Sequence, residues 1–168
     1  MKLNAHIHAI YIAPSAGEQM RSISSAQISA EIGISGDRYA LGTGAYSRTQ
    51  PTKVRNVSLI TLAGIDIAND WLKTQNIQTF DEAQTRRNIV LIGISAKELN
   101  NLVGQQFQLG DVLMLGTELC DPCERPAKLL GKSHFMEAFE GRGGIRAKVI
   151  KSGSIAVGNK LFTENEQT

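Results

Sequence analysis

Residues 3–13, LNAHIHAIYIA, alternate apolar and polar positions and are rich in β-branched side chains, the period-two signature of a strand with one buried face. Pro14-Ser15-Ala16-Gly17 ends that pattern in a turn. Alternation resumes over 27–34, QISAEIGI, and stops at the turn Ser35-Gly36-Asp37-Arg38. From 42 to 53, Gly42, Gly44 and Pro51 interrupt a polar stretch that reads as a loop. Val57–Ile60 is a short strand. Thr61 comes next and offers a hydroxyl cap to a helix from Leu62 to Lys73, with Leu62, Ile65 and Trp71 on its apolar side.

Further along, Thr79 with Asp81 and Glu82 can start a single helical turn, and Asn88–Ile92 is a continuous apolar strand. Ser95-Ala96-Lys97-Glu98 is a capping box that opens a helix extending to Val103. Phe107–Leu109 and Val112–Leu119 flank Gly110-Asp111 as a hairpin. Residues 124–139 have helical spacing with a break at Gly131. Segments 145–151 and 155–162 form a closing pair of strands about Ser152-Gly153-Ser154. Roughly seven to nine short strands and two or three short helices, with no strict βαβ alternation, predict a mainly β (α+β) domain. The expected architecture is a closed or nearly closed β-barrel with a few peripheral short helices.

The chain has 168 residues, 42% of them hydrophobic and 20% charged, which suits one globular domain over 1–162 and a frayed polar tail over 163–168. No apolar run reaches the roughly 18 residues of a membrane span, and the first residues lack the apolar block of a signal peptide, so a cytoplasmic location is expected. A net charge of +2 is too small for a general nucleic-acid binder, and no membrane partner is expected either. The positive charge is clustered, however. Residues 37–55 carry Arg38, Arg48, Lys53 and Arg55 against Asp37, and residues 120–151 carry seven Lys or Arg against four acids. Such clustering suits a local anion site.

The sharpest chemical feature is Cys120-Asp121-Pro122-Cys123, placed directly after an apolar strand. Thiolates are soft ligands and good nucleophiles, suited to metals, sulfur transfer and disulfide exchange. Pro122 stiffens the approach to Cys123, and Arg125 would favour a thiolate there. A zinc site would need about four ligands, and only His6, His8 and His134 could complete it. A thioredoxin-type motif would want a βαβ setting near the N-terminus. A pair of small, half-buried thiols without chemistry is the plain reading. Arg86-Arg87-Asn88 precedes a strand and could present two guanidinium forks and an amide to an oxyanion. Gly141-Arg142-Gly143-Gly144 could cradle an oxyanion with its amides.

GISGDRYALG (33–42), RRNIVLIGI (86–94), LVGQQFQLGDVLMLG (102–116), CDPCERPAKL (120–129) and GRGGIRAKVIKSGSIAVGNKL (141–161), in this order, resemble the MOSC family, named for the C-terminal domain of molybdenum cofactor sulfurase. The resemblance implies a β-barrel like the barrel domain of pyruvate kinase, and a molybdenum cofactor, molybdopterin with molybdenum. It implies Cys123 as the protein ligand to the metal and Arg38, Arg86 or Arg87, and Asn88 as residues holding the anionic tail of the pterin. Relatives in the mitochondrial amidoxime-reducing group have a proline between Arg and Asn, so the register at 86–87 is open by one residue. The implied activity is reduction of an N-hydroxylated small-molecule substrate with electrons from a separate reductase. The alternative is a sulfur-carrier or cofactor-delivery protein that serves a cofactor-biosynthesis partner, with a persulfide on Cys123 and Cys120 as resolving thiol.

Overall fold

The alternating N-terminal segment forms β1 (His6–Ile12), in a computed structural model that describes residues 3–48 and 55–166. A short strand the sequence pattern did not suggest, β2 (Arg21–Ile23), folds back on β1. The second alternating segment divides into β3 (Ser25–Ser29) and β4 (Gly33–Ile34). Next in the chain are β5 (Val57–Thr61), α1 (Leu62–Thr74), a 3-10 turn (Ala83–Thr85) and β6 (Ile89–Ile92). The second half runs α2 (Ala96–Asn100), β7 (Gln106–Leu109), β8 (Val112–Leu119), α3 (Arg125–Leu130), α4 (Phe135–Phe139), β9 (Ile145–Lys151), β10 (Gly153–Ala156) and β11 (Leu161–Thr163). The loop expected over 42–53 is described only as far as residue 48.

Eight strands form one mixed sheet in the order β11-β7-β8-β9-β5-β6-β1-β2, and β10-β3-β4 form a second. Among the described residues, only β5 and β6 run parallel within the pairs of these sheets, joined by the crossover through α1. Both faces of this central pair are covered. Leu59, Ile89 and Leu91 enter one core with Ile10, Ile34 and Phe107, whereas Ile60 and Val90 enter another with Ile65, Leu72 and the phenylalanines of α4. Burial on both faces is why 89–92 reads as an unbroken apolar run. In the second core, Phe135 stacks on Phe139 with centroids 4.4 Å apart, and Phe80 meets Phe135 edge-on at 5.1 Å.

The sheet stops short of a closed barrel. β1, which lies next to the end strand β2, meets the segment leading into β11 only through an isolated bridge between His6 and Lys160 and backbone bonds such as Ile7 N–H to Asn159 O at 2.9 Å. Residues 157 and 158 leave the ladder as a turn, so no continuous pairing forms there. The closing hairpin expected from 145–151 and 155–162 is also replaced. β9 pairs with β8 and β5, β10 with β3, and β11 with β7. Alternation sets which side chains face the core, not which strand lies alongside.

Local chemistry sets the helix starts. The Thr61 hydroxyl accepts from Gly64 N–H at 2.9 Å, and Ser95 with Glu98 makes a reciprocal capping box. The second helix ends at Asn100 rather than Val103, and Gly131, left-handed at φ +63°, divides α3 from α4. The single helical turn does not start at Thr79. Instead Asp81 Oδ1 accepts from Gln84 N–H and the turn forms over Ala83–Thr85. At the C-terminus, the tail expected to fray is tied down as far as Glu166, whose carboxylate accepts from the N–H groups of Thr163 and Leu3.

Candidate functional site

The topology brings the first residues of β5 and β6, the first residues of β9 and the end of β8 close together in the large sheet, with Ser58 opposite Arg146. β5 and β6 are parallel, so Ser58 and Asn88 lie side by side, and Leu119 pairs with Ile145 across β8 and β9. The Arg38 turn, the Arg86–Asn88 segment and Cys120–Cys123 converge there. Among the described residues, six arginines line the resulting cleft (Arg38, Arg55, Arg86, Arg87, Arg125 and Arg146) against a single acid, Asp121.

Arg38 is buried and held from several sides. Its Nη1 donates to Asp37 Oδ1 at 3.0 Å and lies 3.4 Å from Met20 Sδ, and its Nη2 donates to the Arg86 carbonyl at 3.3 Å. Asp37 also accepts from Ala13 N–H, so the pair pins the 35–38 turn to the end of β1. The guanidinium lies 5.0 Å from the centroid of the Tyr39 ring. Buried charge of this kind survives only when paired and hydrogen-bonded.

Arg86 sits in the left-handed region at φ +63°, an uncommon place for a non-glycine residue. Its Nη1 donates to the Glu18 carbonyl at 2.7 Å. Its pKa is pushed down to about 10, first by burial and then by the neighbouring charges of Arg38 and Arg125. Arg87 is anchored differently: Nε donates to the Gly143 carbonyl at 2.8 Å and Nη1 to the Thr85 carbonyl at 3.2 Å. Both arginines line the cleft.

Asn88 lines the cleft too, but its amide is largely engaged by protein. Oδ1 accepts from the N–H and the hydroxyl of Ser58, both at 3.1 Å, and Nδ2 donates to the Tyr11 carbonyl at 3.1 Å. Its polar atoms therefore tie β1, β5 and β6 together at the wall. The glycine loop also does something other than expected. None of Gly141–Gly144 lines the cleft, and the bonds run through carbonyls. Gly143 O accepts from Arg87, and Gly144 O accepts from Cys120 N–H at 2.8 Å. A Cβ on Gly143 would lie 2.3 Å from the Cys120 carbonyl, so that residue must be glycine for the loop to seat the cysteine segment.

Cys120 is buried and Cys123 exposed, and both sulfur-bearing residues line the cleft. Arg146 lies near Cys120. Burial opposes its charge, but the Cys120 sulfur and the Glu118 carboxylate, 2.6 Å away, outweigh it and raise its pKa. None of the three histidines lines the cleft. His8 Nε2 is 2.8 Å from Glu82 Oε1, and His134 contacts Ser133. Among the described residues, no group of three or more His, Cys, Asp or Glu side chains is placed to hold a metal ion. No helix among them is long and apolar enough to cross a membrane.

The sequence profile of the MOSC domain matches residues 47–162, more than half of the chain. The chain belongs to the MOSC domain family. Solved structures carry the same fold at low identity. The YUAD protein from Bacillus subtilis aligns over 96% of both chains with a TM-score of 0.74 and 19% identity. YiiM from Geobacillus stearothermophilus aligns over 95% of this chain and 74% of its own, with a TM-score of 0.69 and 13% identity. YiiM from Escherichia coli aligns over 97% of this chain and 69% of its own, with a TM-score of 0.64 and 15% identity. No curated protein matches the chain in sequence.

In this MOSC domain, sequence reasoning brought together five of the cleft residues: Arg38, Arg86, Arg87, Asn88 and Cys123. It did not assign Arg55, Tyr46, Ser58 or Arg146 to the site. Arg55 stacks 5.1 Å from the centroid of the Tyr46 ring, and its Nε is buried without a hydrogen-bond partner. The one available signal was the basic excess over 37–55, which contains Arg55 but does not single it out.

Proposed function

We propose that this MOSC domain binds a pterin molybdenum cofactor and that the Cys123 thiolate is the protein ligand to molybdenum. The observation that carries the reading is an exposed thiol at the lip of a cleft walled by six arginines and one acid. The donor set fits both ends of such a group. A soft thiolate suits molybdenum, and guanidinium forks suit a phosphate tail. The unpartnered Nε of Arg55 and the mutual crowding of Arg38, Arg86 and Arg125 are what an absent anion would relieve.

Arg86 and Arg87 would hold the tail. Arg38 fixes the backbone of Arg86, and Asn88 fixes the wall behind them. When bound, the metal centre supplies two-electron redox chemistry, and the chain supplies ligation, orientation and charge. The substrate class would be an N-hydroxylated base or amidoxime, with electrons delivered by a separate reductase. One observation favours a second reading: Cys120 shares the cleft with Cys123. In that reading Cys123 carries a persulfide, and the Cys120 thiolate attacks its inner sulfur. A Cys120–Cys123 disulfide forms and the outer sulfur leaves as hydrosulfide.

Metal and labile-sulfur analysis of protein purified from a host that makes the cofactor tests the choice. Stoichiometric molybdenum, lost in Cys123→Ser and largely kept in Cys120→Ser, is expected. Molybdenum lost only in Cys120→Ser overturns the ligand assignment. Persulfide without metal selects the carrier reading.

A further inference from the structure

The arginines of the cleft fall into two groups, because their strands lie in the order β9-β5-β6-β1. Arg86 precedes β6 and leans to the β1 side, where it donates to the Glu18 carbonyl. The charged and titratable groups that act on it are Arg38, Arg125, Tyr39 and Asp37. Arg55 is not one of them. It precedes β5 on the β9 side, where Val57 lies opposite Ala147 and Ser58 opposite Arg146. A phosphate tail held at Arg86 therefore leaves Arg55 without a counter-charge.

The surroundings of Arg55 show what is missing. Its guanidinium is braced 5.1 Å from the centroid of the Tyr46 ring. Its Nε–H is shut away from solvent and has no acceptor among the described residues, a state that native proteins rarely leave without a ligand or water. The neighbouring Arg146 has its charge met by Glu118 at 2.6 Å. Tyr39 stands between the two groups and acts on both Arg86 and Arg146. Its ring is held 5.0 Å from the Arg38 guanidinium, and a Cβ on Gly44 would lie 2.5 Å from that ring, so the 44–45 backbone closes tightly over it. The backbone N–H of Tyr39 donates to Asp37 Oδ2 at 3.5 Å, and its hydroxyl has no partner among the described residues.

We infer that the Arg55 side of the cleft is a carboxylate subsite and that the N-hydroxylated substrate is itself an acid, an amidoxime or hydroxylamine that carries a carboxylate. The guanidinium edge formed by Nε and one Nη matches the two oxygens of a carboxylate, and the Tyr39 hydroxyl can donate to the same group. Charge decides against a second phosphate. Arg146 is neutralised by Glu118, so this side offers one unmatched positive charge, which suits a monoanion and leaves half of a dianion uncompensated. Cys123 lines the same cleft, so an acid anchored at Arg55 keeps its other end in the space that presents the thiol. That the acid is reduced rests on the molybdenum reading; that it is bound rests on Arg55.

Titration calorimetry tests this on the full-length chain purified from a host that makes the cofactor. Saturating inorganic phosphate keeps the Arg86 side filled whether or not the cofactor is present. Para-carboxybenzamidoxime should bind at least about tenfold more tightly than benzamidoxime, as a charge-assisted pair provides. Arg55→Lys keeps the charge and loses the fork, and it should cut that preference to about twofold. Tyr39→Phe should cut it about threefold. Lys128→Gln, at an exposed residue outside the cleft, should leave it unchanged. Equal affinity for the two amidoximes overturns the inference, and so does a preference that survives Arg55→Lys intact. If Arg55→Lys melts early, Tyr39→Phe decides, since its ring packing is untouched; an undiminished preference there overturns the inference. Loss of the preference in Lys128→Gln alone places the acid outside the cleft and overturns it too. Bound molybdenum without preference for the acid sinks this inference and leaves the cofactor reading standing. Preference for the acid with persulfide and no molybdenum does the reverse.

Discussion

Replacing Arg86 by Asn should raise the stability of the cofactor-free protein and abolish most of its stabilisation by phosphate. The folded environment lowers the pKa of Arg86 from the ordinary guanidinium range to about 10, mainly by burial and then by Arg38 and Arg125. A folded pKa below the unfolded one means that folding disfavours the charged form. The penalty is therefore present in full below pH 10 and fades only as the pH rises above 10 towards the ordinary guanidinium range. At face value it is about 3 kcal/mol, at about 1.4 kcal/mol per tenfold change in protonation equilibrium. Arg86 is only partly buried, and solvent screening brings this to about 1–1.5 kcal/mol. Asn also tolerates the left-handed backbone at this position, which returns roughly another 0.5 kcal/mol. Against these gains stands the lost hydrogen bond to the Glu18 carbonyl, about 1 kcal/mol.

The balance is a net gain of about 0.5–1 kcal/mol, or a rise in melting temperature of about 1–4 °C for a chain of this size. Phosphate reverses the order. An anion at a hundred times its dissociation constant adds about 2.7 kcal/mol to the wild type, and the variant should gain far less. Thermal unfolding in a low-salt, non-phosphate buffer, with and without added phosphate, reads both effects, and the difference in the absence of phosphate should be flat from pH 6 to 9. High salt would blur the comparison by screening. The reasoning fails if the variant melts well below the wild type without phosphate, or if phosphate stabilises the two proteins equally.

The same geometry sets other expectations. Gly143→Ala drives a Cβ into the Cys120 carbonyl; it should cost about 1–3 kcal/mol and lower metal retention, as seen by thermal unfolding and metal analysis, whereas Gly104→Ala, where a Cβ meets nothing within 4 Å, should keep the metal. The Tyr11 pKa is raised to about 12 by burial and by Glu82, so the neutral phenol stabilises the fold at pH values below 10 and that contribution is lost as the pH rises through 12; ultraviolet titration of Glu82→Gln should show one tyrosine ionising at lower pH than in the wild type. The holo-domain should be inactive with NADH or NADPH alone and should turn over N-hydroxylated substrates with a flavin or iron–sulfur reductase or a chemical reductant; turnover with NADH alone would reveal a nucleotide site of its own.

The features legible in the chain were those that short-range chemistry decides. Thr61 and Ser95 cap helices because a hydroxyl two or three residues ahead of free N–H groups can accept from them, whatever lies across the sheet. Gly110-Asp111 closes a hairpin for the same local reason. Strand partners were not legible. The segment after Ser152 alternates correctly, yet its first part pairs with β3 and its last with β7, because alternation fixes which face is buried and leaves the choice of partner to contacts distant in the chain. The site shows the same division. Cys123 and the arginine-rich segment carried their own chemical signal, whereas Arg55 and Arg146 belong to the cleft only because β5 pairs with β9, Ser58 opposite Arg146.

The question the sequence left open, whether Arg86 or Arg87 faces the cleft, has an answer that no strand pattern could give. Consecutive side chains on a strand point to opposite faces, so a regular backbone would send one of the two away. The left-handed turn at Arg86 breaks that alternation just before β6 and lets both side chains reach the same space. The turn is held by the buried Arg38, whose guanidinium grips the Arg86 carbonyl, and Arg38 is in turn fixed by Asp37. The Gly36-Asp37-Arg38 turn and the Arg86-Arg87-Asn88 segment thus form one device. The first grips the backbone of the second, and both arginines of that segment line one cleft. Arg87 is already satisfied by the carbonyls of Gly143 and Thr85, so it defines the position. Arg86, crowded by like charge, has the most to gain from an incoming anion, and its substitution should report on binding most sharply.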